Sequence, residues 1–402
     1  MSDFHQTGLI TTLHRLGAPN LEQLEKELEE TLLLRPIALV LPSLYSELQG
    51  EAMPWIVEEL SQVRYLREIV ISLGRAGKEE FERAKEFFAI LPQGPRIVWN
   101  NGPRIQALYQ LLQEHGVSAG PDGKGRSAWM AFGYVLARGQ SDVIALHDCD
   151  IVTYSRELLA RLCYPVANPK LAFEFCKGYY SRVTDRLHGR ATRLLVTPLI
   201  RALQRMIGYQ PFLVYLDSFR YPLAGEFAMI ADLARVNRIP WDWGLEVGVL
   251  AEVYRNCAIG RVCQVDLLDT YEHKHQVLSP DDPTKGLMRM AVDITKSLLR
   301  TLAEEGVPIS DSLLKTLPVA YLRSARDMMS RYQNDAYINS LRFDQHEEGM
   351  ALEAFAQAIR FASEEFVADP LSVPLIPNWN RVLSAIPDFF ARLREAVDLD
   401  NG

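Results

Sequence analysis

The chain has 402 residues, 48% hydrophobic, 23% charged and 9% aromatic, a composition that supports a large core with room for two lobes. Lys+Arg 43 against Asp+Glu 51 gives a net charge of -8, which argues against an electrostatic nucleic-acid binder and against attraction to an anionic membrane surface. The five cysteines, Cys149, Cys163, Cys176, Cys257 and Cys263, include no CxxC pair, so reduced thiols fit better than a disulfide framework or a structural zinc site.

The N-terminal stretch lacks a basic region followed by an apolar one, and no apolar run is long enough to cross a bilayer, so a cytoplasmic location is expected. Asn20 caps an expected helix with Leu21, Leu24, Leu28 and Leu32 on one face, closed by Pro36. Ile37 to Leu41 reads as a buried strand leading into Pro42 to Glu47. Helix is expected over Glu51 to Val63, strand over Ile69 to Ser72, and helix over Lys78 to Ile90. A strand at Ile97 to Trp99 and a helix from Arg104 to His115 follow. The glycine-rich turn Ala119 to Ser127 then precedes a helix at Trp129 to Leu136. Val143 to Leu146 is an unbroken apolar run, as in a strand buried on both faces, and it stops at His147-Asp148-Cys149-Asp150. This alternation predicts a doubly wound, mostly parallel α/β sheet with right-handed crossovers.

Further on, Leu171 to Phe175 reads as a strand and the arginine-rich Leu187 to Met206 as a helix. Turns are expected at Ala224-Gly225 and Trp241 to Gly244, and a strand at Cys263 to Leu267. From Gly286 the signal is helical. Leu352, Phe355, Ile359 and Phe366 mark one amphipathic helix, and Trp379, Val382, Leu383 and Ile386 another. The expected division is an α/β domain over 1–280, the stretch at about 176–280 forming its later part. A helical subdomain over 281–402 would then serve dimerisation.

The pair Asp148 and Asp150 falls just beyond a strand's C-terminal end, where open α/β sheets place ligands. Two carboxylates at i and i+2 can hold a hard divalent cation that also grips phosphate oxygens. The turn AGPDGKGRS brings backbone N–H groups, Lys124 and a helix N-terminus together, the ingredients of an anion site, with a plain surface turn as the alternative. It is not a P-loop, because Gly125 stands where Ser or Thr would follow the lysine. His273 and His275 follow a strand and suit either metal ligation or an ordinary surface role. Glu226 and Glu246 beside glycine-containing turns suit a sugar hydroxyl, a base or a helix cap. Lys177, Arg182, Arg190, Arg193, Arg201 and Arg205 read mostly as solvated faces, with one or two left for an acidic substrate. Trp241 and Trp243 suit sugar stacking or core packing. No GxSxG, GxGxxG or zinc quartet is present.

In order, PSLYSE (42–47), GKG (123–125), DCD (148–150), KGYYSR (177–182), GRATRLL (189–195), PLAGEFA (222–228), WGLEVG (243–248) and QVDLLDTYEHKHQ (264–276) resemble the glucosyl-3-phosphoglycerate synthases, retaining GT-A-fold glycosyltransferases. The resemblance covers about 37–275. It implies a GT-A sheet, glucose transfer from a nucleotide-diphosphate sugar such as UDP-glucose to 3-phosphoglycerate, and a product feeding glucosylglycerate-type compatible solutes. It also implies a divalent cation, Mg²⁺ foremost, with Mn²⁺ or Co²⁺ as alternatives. Position by position, it implies that Asp150 and His273 hold the metal. Asp148 would lie near the ribose, Lys124 on the nucleotide, and Pro42, Leu44 and Glu47 around the uridine. Leu223, Ala224 and Glu246 would meet the donor glucose, and Arg190, Thr192 and His275 the acceptor. Asp150, Lys124 and Glu246 are then the catalytic set. The chain departs from the family pattern at Tyr45-Ser46, at SLGRAG after the second strand, and at His275-Gln276. With no evident carboxylate nucleophile, a same-face substitution with internal return is expected. A mannosyl-3-phosphoglycerate synthase, a sugar-phosphate nucleotidyltransferase and an inactive binding scaffold are the alternatives.

Overall fold

Eight strands form one sheet among the described residues: β1 (Thr11–Leu13), β2 (Ile37–Leu44), β3 (Leu66–Gly74), β4 (Arg96–Trp99), β5 (Val143–Leu146), β6 (Phe175–Tyr179), β7 (Phe227–Ile230) and β8 (Val262–Asp266). Their order is β1-β8-β6-β7-β5-β2-β3-β4, with all neighbours parallel except β7, which is antiparallel to β5 and β6. The structure, a computed structural model, describes residues 6, 8–17, 20–272, 282, 285–372 and 375–402.

The expected GT-A-type α/β sheet is present, and its central strands are buried on both faces. In β2, Val40 and Ala38 point into one core with Ile144 and Leu146, while Ile37, Leu39 and Leu41 enter the other with Val143 and Ala145. This two-residue alternation splits one apolar run between two helical layers. Helices Ala52–Ser61, Lys78–Phe88 and Arg156–Ala167 cover one face. Helix Lys124–Arg138 and the C-terminal helices Gly286–Glu304, Asp311–Ile338 and Gln345–Ala368 build the other. Trp129 stacks on Trp379 with ring centroids 3.9 Å apart. That contact requires Gly133, where a Cβ would come within 2.1 Å of the Trp379 ring. At the far edge of the sheet, the Asn401 side chain accepts from the Ile97 N–H and donates to the Ile97 carbonyl, both at 2.9 Å. No helix among the described residues is long and apolar enough to cross a membrane.

The first helix runs Leu21–Thr31, with the Asn20 side chain accepting from the Gln23 N–H at 3.0 Å, as expected. Three expectations are corrected. The strand placed at Leu171 to Phe175 lies instead at Phe175–Tyr179, which puts Lys177 inside the sheet. The helix expected from Trp129 begins at Lys124. The arginine-rich helix does not start at Leu187. Residues Ala191–Val196 form a wider π-helical turn before the α-helix Thr197–Ile207. β1 and β7 are strands the sequence reading did not contain.

Candidate active site

The parallel strands converge on one end of the sheet, and the loops that follow them build the site. β5 ends at Leu146, which pairs with Phe227 at the start of β7. The antiparallel register therefore brings Gly225 and Glu226 directly alongside Asp148. The approach is so close that a Cβ on Gly225 would lie 2.4 Å from Asp148 Oδ2. β2 ends in a short helical turn, Tyr45–Glu47, in which Glu47 Oε2 accepts from the Leu44 N–H at 2.9 Å.

Two helix N-termini meet over this strand end. Lys124 is the first residue of Lys124–Arg138, and Glu246 lies in the first turn of Leu245–Asn256. The glycines around Lys124 allow the meeting. A Cβ on Gly123 would come within 2.2 Å of the Trp241 carbonyl, and one on Gly125 within 1.8 Å of the Pro240 carbonyl. The Gly125 N–H donates to that Trp241 carbonyl at 3.2 Å. The turn is thus a packed junction rather than a plain surface turn. Trp241 spends its ring against Gly120 in the same junction, the packing role of the two open to it.

Lys124 Nζ lies 2.7 Å from Asp148 Oδ1 and 2.9 Å from Glu246 Oε1. Burial pushes the ammonium's pKa down, but Asp148 and Glu246 outweigh it and hold the lysine protonated well above its ordinary range. Glu246 Oε2 is buried and has no hydrogen-bond partner. Burial, reinforced by Asp150 and then Asp148, pushes the Glu47 carboxyl up to about 7, against the Leu44 N–H that pulls it down. Lys124, Asp148 and Glu246 are therefore in contact, and Asp150 and Glu47 share the same field.

Beneath this cluster is a second layer of buried polar groups. Glu226 is fully buried and accepts from the hydroxyls of Tyr180 at 2.8 Å and Tyr271 at 2.6 Å, whose rings stack with centroids 3.6 Å apart. Burial and then Asp148 raise its pKa against those two donors. It directly precedes β7 and caps no helix. Lys177, also fully buried, donates to the Ala224 carbonyl and sits over the Phe227 ring. Burial lowers its pKa to about 8 in spite of Glu246 and Glu226. The sequence reading placed most of its basic cluster on solvated faces, and a lysine inside a strand gave no local sign of its carboxylate neighbours. Pro42 and Leu44 lie at the end of β2, and Leu223 and Ala224 are buried in the turn before β7.

Arg190 and Thr192 lie apart from this cluster, at the π-helical turn. Gly189, beside them, packs on Tyr221, whose ring neighbours Tyr180, and Arg182 donates to the Tyr221 hydroxyl at 3.2 Å. Arg190 lines a cleft of about 440 Å³ together with Arg186, Arg342, Glu347 and Glu348. The Thr192 hydroxyl is buried and has no partner. His273 and His275 lie outside the described residues. Among the described residues, no group of three or more His, Cys, Asp or Glu side chains gathers as a metal site would.

No protein-family model matches the chain. It is 50% identical over 401 residues to the glucosyl-3-phosphoglycerate synthase of Persephonella marina, covering 100% of this chain and 99% of that protein. It is 41% identical over 403 residues to the glucosyl-3-phosphoglycerate synthase of Methanococcoides burtonii, covering 99% and 98%. Among solved structures, the fold matches glucosyl-3-phosphoglycerate synthase from Mycobacterium tuberculosis in complex with Mn²⁺, UDP-glucose and phosphoglyceric acid. That match has a TM-score of 0.55 and 23% identity, over 75% of this chain and 89% of that one. A complex of the same M. tuberculosis protein with Mg²⁺ and UDP matches with a TM-score of 0.54.

Proposed function

The chain belongs to the glucosyl-3-phosphoglycerate synthase family, and on that premise we propose that it moves glucose from UDP-glucose to 3-phosphoglycerate at the Lys124 cluster, with retention of configuration. The observation that carries this reading is Lys124 bridging Asp148 and Glu246 where two helix N-termini meet. A diphosphate placed there would meet an ammonium held protonated and the positive ends of two helix dipoles. A sugar-phosphate nucleotidyltransferase and an inert scaffold do not sit with family membership.

The residues fit a divalent cation. Asp148 and Asp150 offer hard oxygen ligands, and their negative charge, which adds to burial in raising the Glu47 carboxyl, is one that a cation would neutralise. Asp150 would hold the ion, with His273 as the partner ligand implied by the motif. When bound, the ion stabilises charge on the departing diphosphate. Lys124 donates to the same developing charge. Glu246 anchors Lys124 through Oε1, its buried Oε2 has no hydrogen-bond partner and so is left for a hydroxyl of the donor glucose, and Leu223 and Ala224 complete that subsite in this reading. Pro42, Leu44 and Glu47 hold the uridine, and Arg190, Thr192 and His275 the acceptor. The acceptor hydroxyl attacks on the face that the diphosphate leaves, and its proton passes to the leaving diphosphate. A glycosyl adduct trapped on Glu246 would refute that same-face course.

Residues 1–280 form the catalytic part and 281–402 the helical part in this reading, in a cytoplasmic homodimer without nucleic-acid or membrane partners. Val319, Tyr337 and Ile338, exposed on one long helix, support the dimer, and a monomer in light scattering at micromolar concentration would count against it. The central test is Asp150→Ala, followed by UDP release with and without EDTA. Metal-dependent transfer should vanish while the thermal melt stays close to that of the parent. Full activity in the variant would sink the proposal.

A further inference from the structure

Arg190 is held by two adjacent carboxylates of unequal character. Its Nε donates to Glu348 Oε1 at 3.0 Å, and its Nη2 donates to Glu347 Oε2 at 2.8 Å. Both glutamates lie in the first turn of helix Gln345–Ala368, which Asp344 caps by accepting from the His346 and Glu347 N–H groups at 2.9 Å. Glu348 is buried and shared, since its other oxygen takes Arg193 Nη1 at 3.0 Å. Arg193 is itself fixed by the His188 carbonyl at 2.7 Å and by the Tyr332 ring. Glu347 has no such network, and its side chain is 46% exposed at the cleft.

A guanidinium can grip an oxyanion with two parallel bonds along only two edges, Nε with Nη2 or Nη1 with Nη2. Glu348 takes Nε and so leaves the second edge as the binding edge. Glu347 sits on Nη2, the nitrogen common to both edges. We propose that Glu348 is a positioning residue that aims Arg190 at the acceptor's phosphate or carboxylate, and that Glu347 is a placeholder that occupies the anion's position until the acceptor displaces it. The proposal rests on the reading of Arg190 as an acceptor-binding residue. An exposed ion pair is weak, so the acceptor can displace Glu347 at small cost. The buried, doubly bonded Glu348 stays.

Neighbouring glutamates should therefore act in opposite directions. Glu347→Gln should lower KM for 3-phosphoglycerate about two- to fivefold. Glu348→Gln should raise it about tenfold or more, with Glu348→Asp recovering part of the loss. KM for UDP-glucose should change less than twofold in each. Binding of 3-phosphoglycerate to Arg190→Ala, measured by calorimetry, separates the two layers of the argument. If Arg190→Ala loses the acceptor but both glutamine variants keep KM for it within twofold, the inference is overturned and the acceptor reading stands. If Arg190→Ala binds the acceptor normally, the acceptor reading falls and the inference with it. Should Glu348→Gln fail to fold, the sign of the Glu347→Gln effect decides, and a KM that is unchanged or raised overturns the proposal.

Discussion

Gly225→Ala places the least possible extra volume against the central carboxylate. Gly225 does not lie at positive φ, so alanine brings no backbone strain of that kind. Its new Cβ would lie 2.4 Å from Asp148 Oδ2, 2.6 Å from Cγ and 2.7 Å from Oδ1. Ordinary contact begins at about 3.4 Å, so the carboxylate must retreat by about 1 Å or turn off its rotamer. Either movement breaks the 2.7 Å contact to Lys124. A hydrogen bond to a charged group contributes about 1.5–3 kcal/mol, and a 1 Å misplacement in an active site costs about 10²-fold in rate. The expected result is a fall of roughly 10²-fold in kcat/KM for UDP-glucose at saturating 3-phosphoglycerate. Thermal stabilisation by UDP with Mg²⁺ should shrink in parallel, while the melt of the unliganded protein moves little. A variant within about threefold of the parent would show that the position of Asp148 does not set the rate, and the argument from Lys124 and Asp148 would fail.

Lys177→Met keeps most of the buried volume but removes the donor to the Ala224 carbonyl. It should lower kcat/KM for UDP-glucose about tenfold or more. Steady-state kinetics beside a thermal melt checks this, and unchanged kinetics would contradict the placing of Ala224 at the donor. The Asp293 carboxyl, which pairs with Arg289 at 2.9 Å, is pushed up to about 7 by burial and then by Asp242, against Arg289 and Lys296. Its folded pKa lies above the unfolded value, so its contribution to stability is full below about pH 4 and is lost as pH rises towards 7. Asp293→Asn cannot titrate, so its stability relative to the parent should climb across that window by an amount on the order of a few kcal/mol. Melts at several pH values with a constant difference would refute the assignment.

Much of the central sheet was legible in the sequence because its strands are short unbroken apolar runs between turn residues. Ile37 to Leu41 and Val143 to Leu146 can be buried on two faces only in a sheet with helices on both sides. β7 escaped notice because FAMI is four residues long and follows a glycine turn, and its identity as a strand depends on pairing with β5 and β6. β6 was misplaced because Lys177 argued locally against a buried strand. Its charge is tolerated through Glu226, Glu246 and the Ala224 carbonyl, all distant in sequence. Lys124, Asp148 and Glu246 could be proposed from motif order, but their contact could not, since it depends on Gly123 and Gly125 packing on the backbone of Pro240 and Trp241. The partnership of Arg190 with Glu347 and Glu348 spans more than 150 residues and follows no spacing rule.

The paired contact between Asn401 and Ile97 bears on how the molecule keeps to itself in a crowded solution. β4 is the last strand on its side of the sheet, and its outward N–H and C=O groups are the template on which a foreign strand could add. The Asn401 amide presents one donor and one acceptor, the same complement as a peptide group, and places both on Ile97. One side chain thus mimics a single residue of a ninth strand and then stops, because the helix that carries it cannot continue the ladder. The edge is closed against aggregation by imitation of the partner it must refuse.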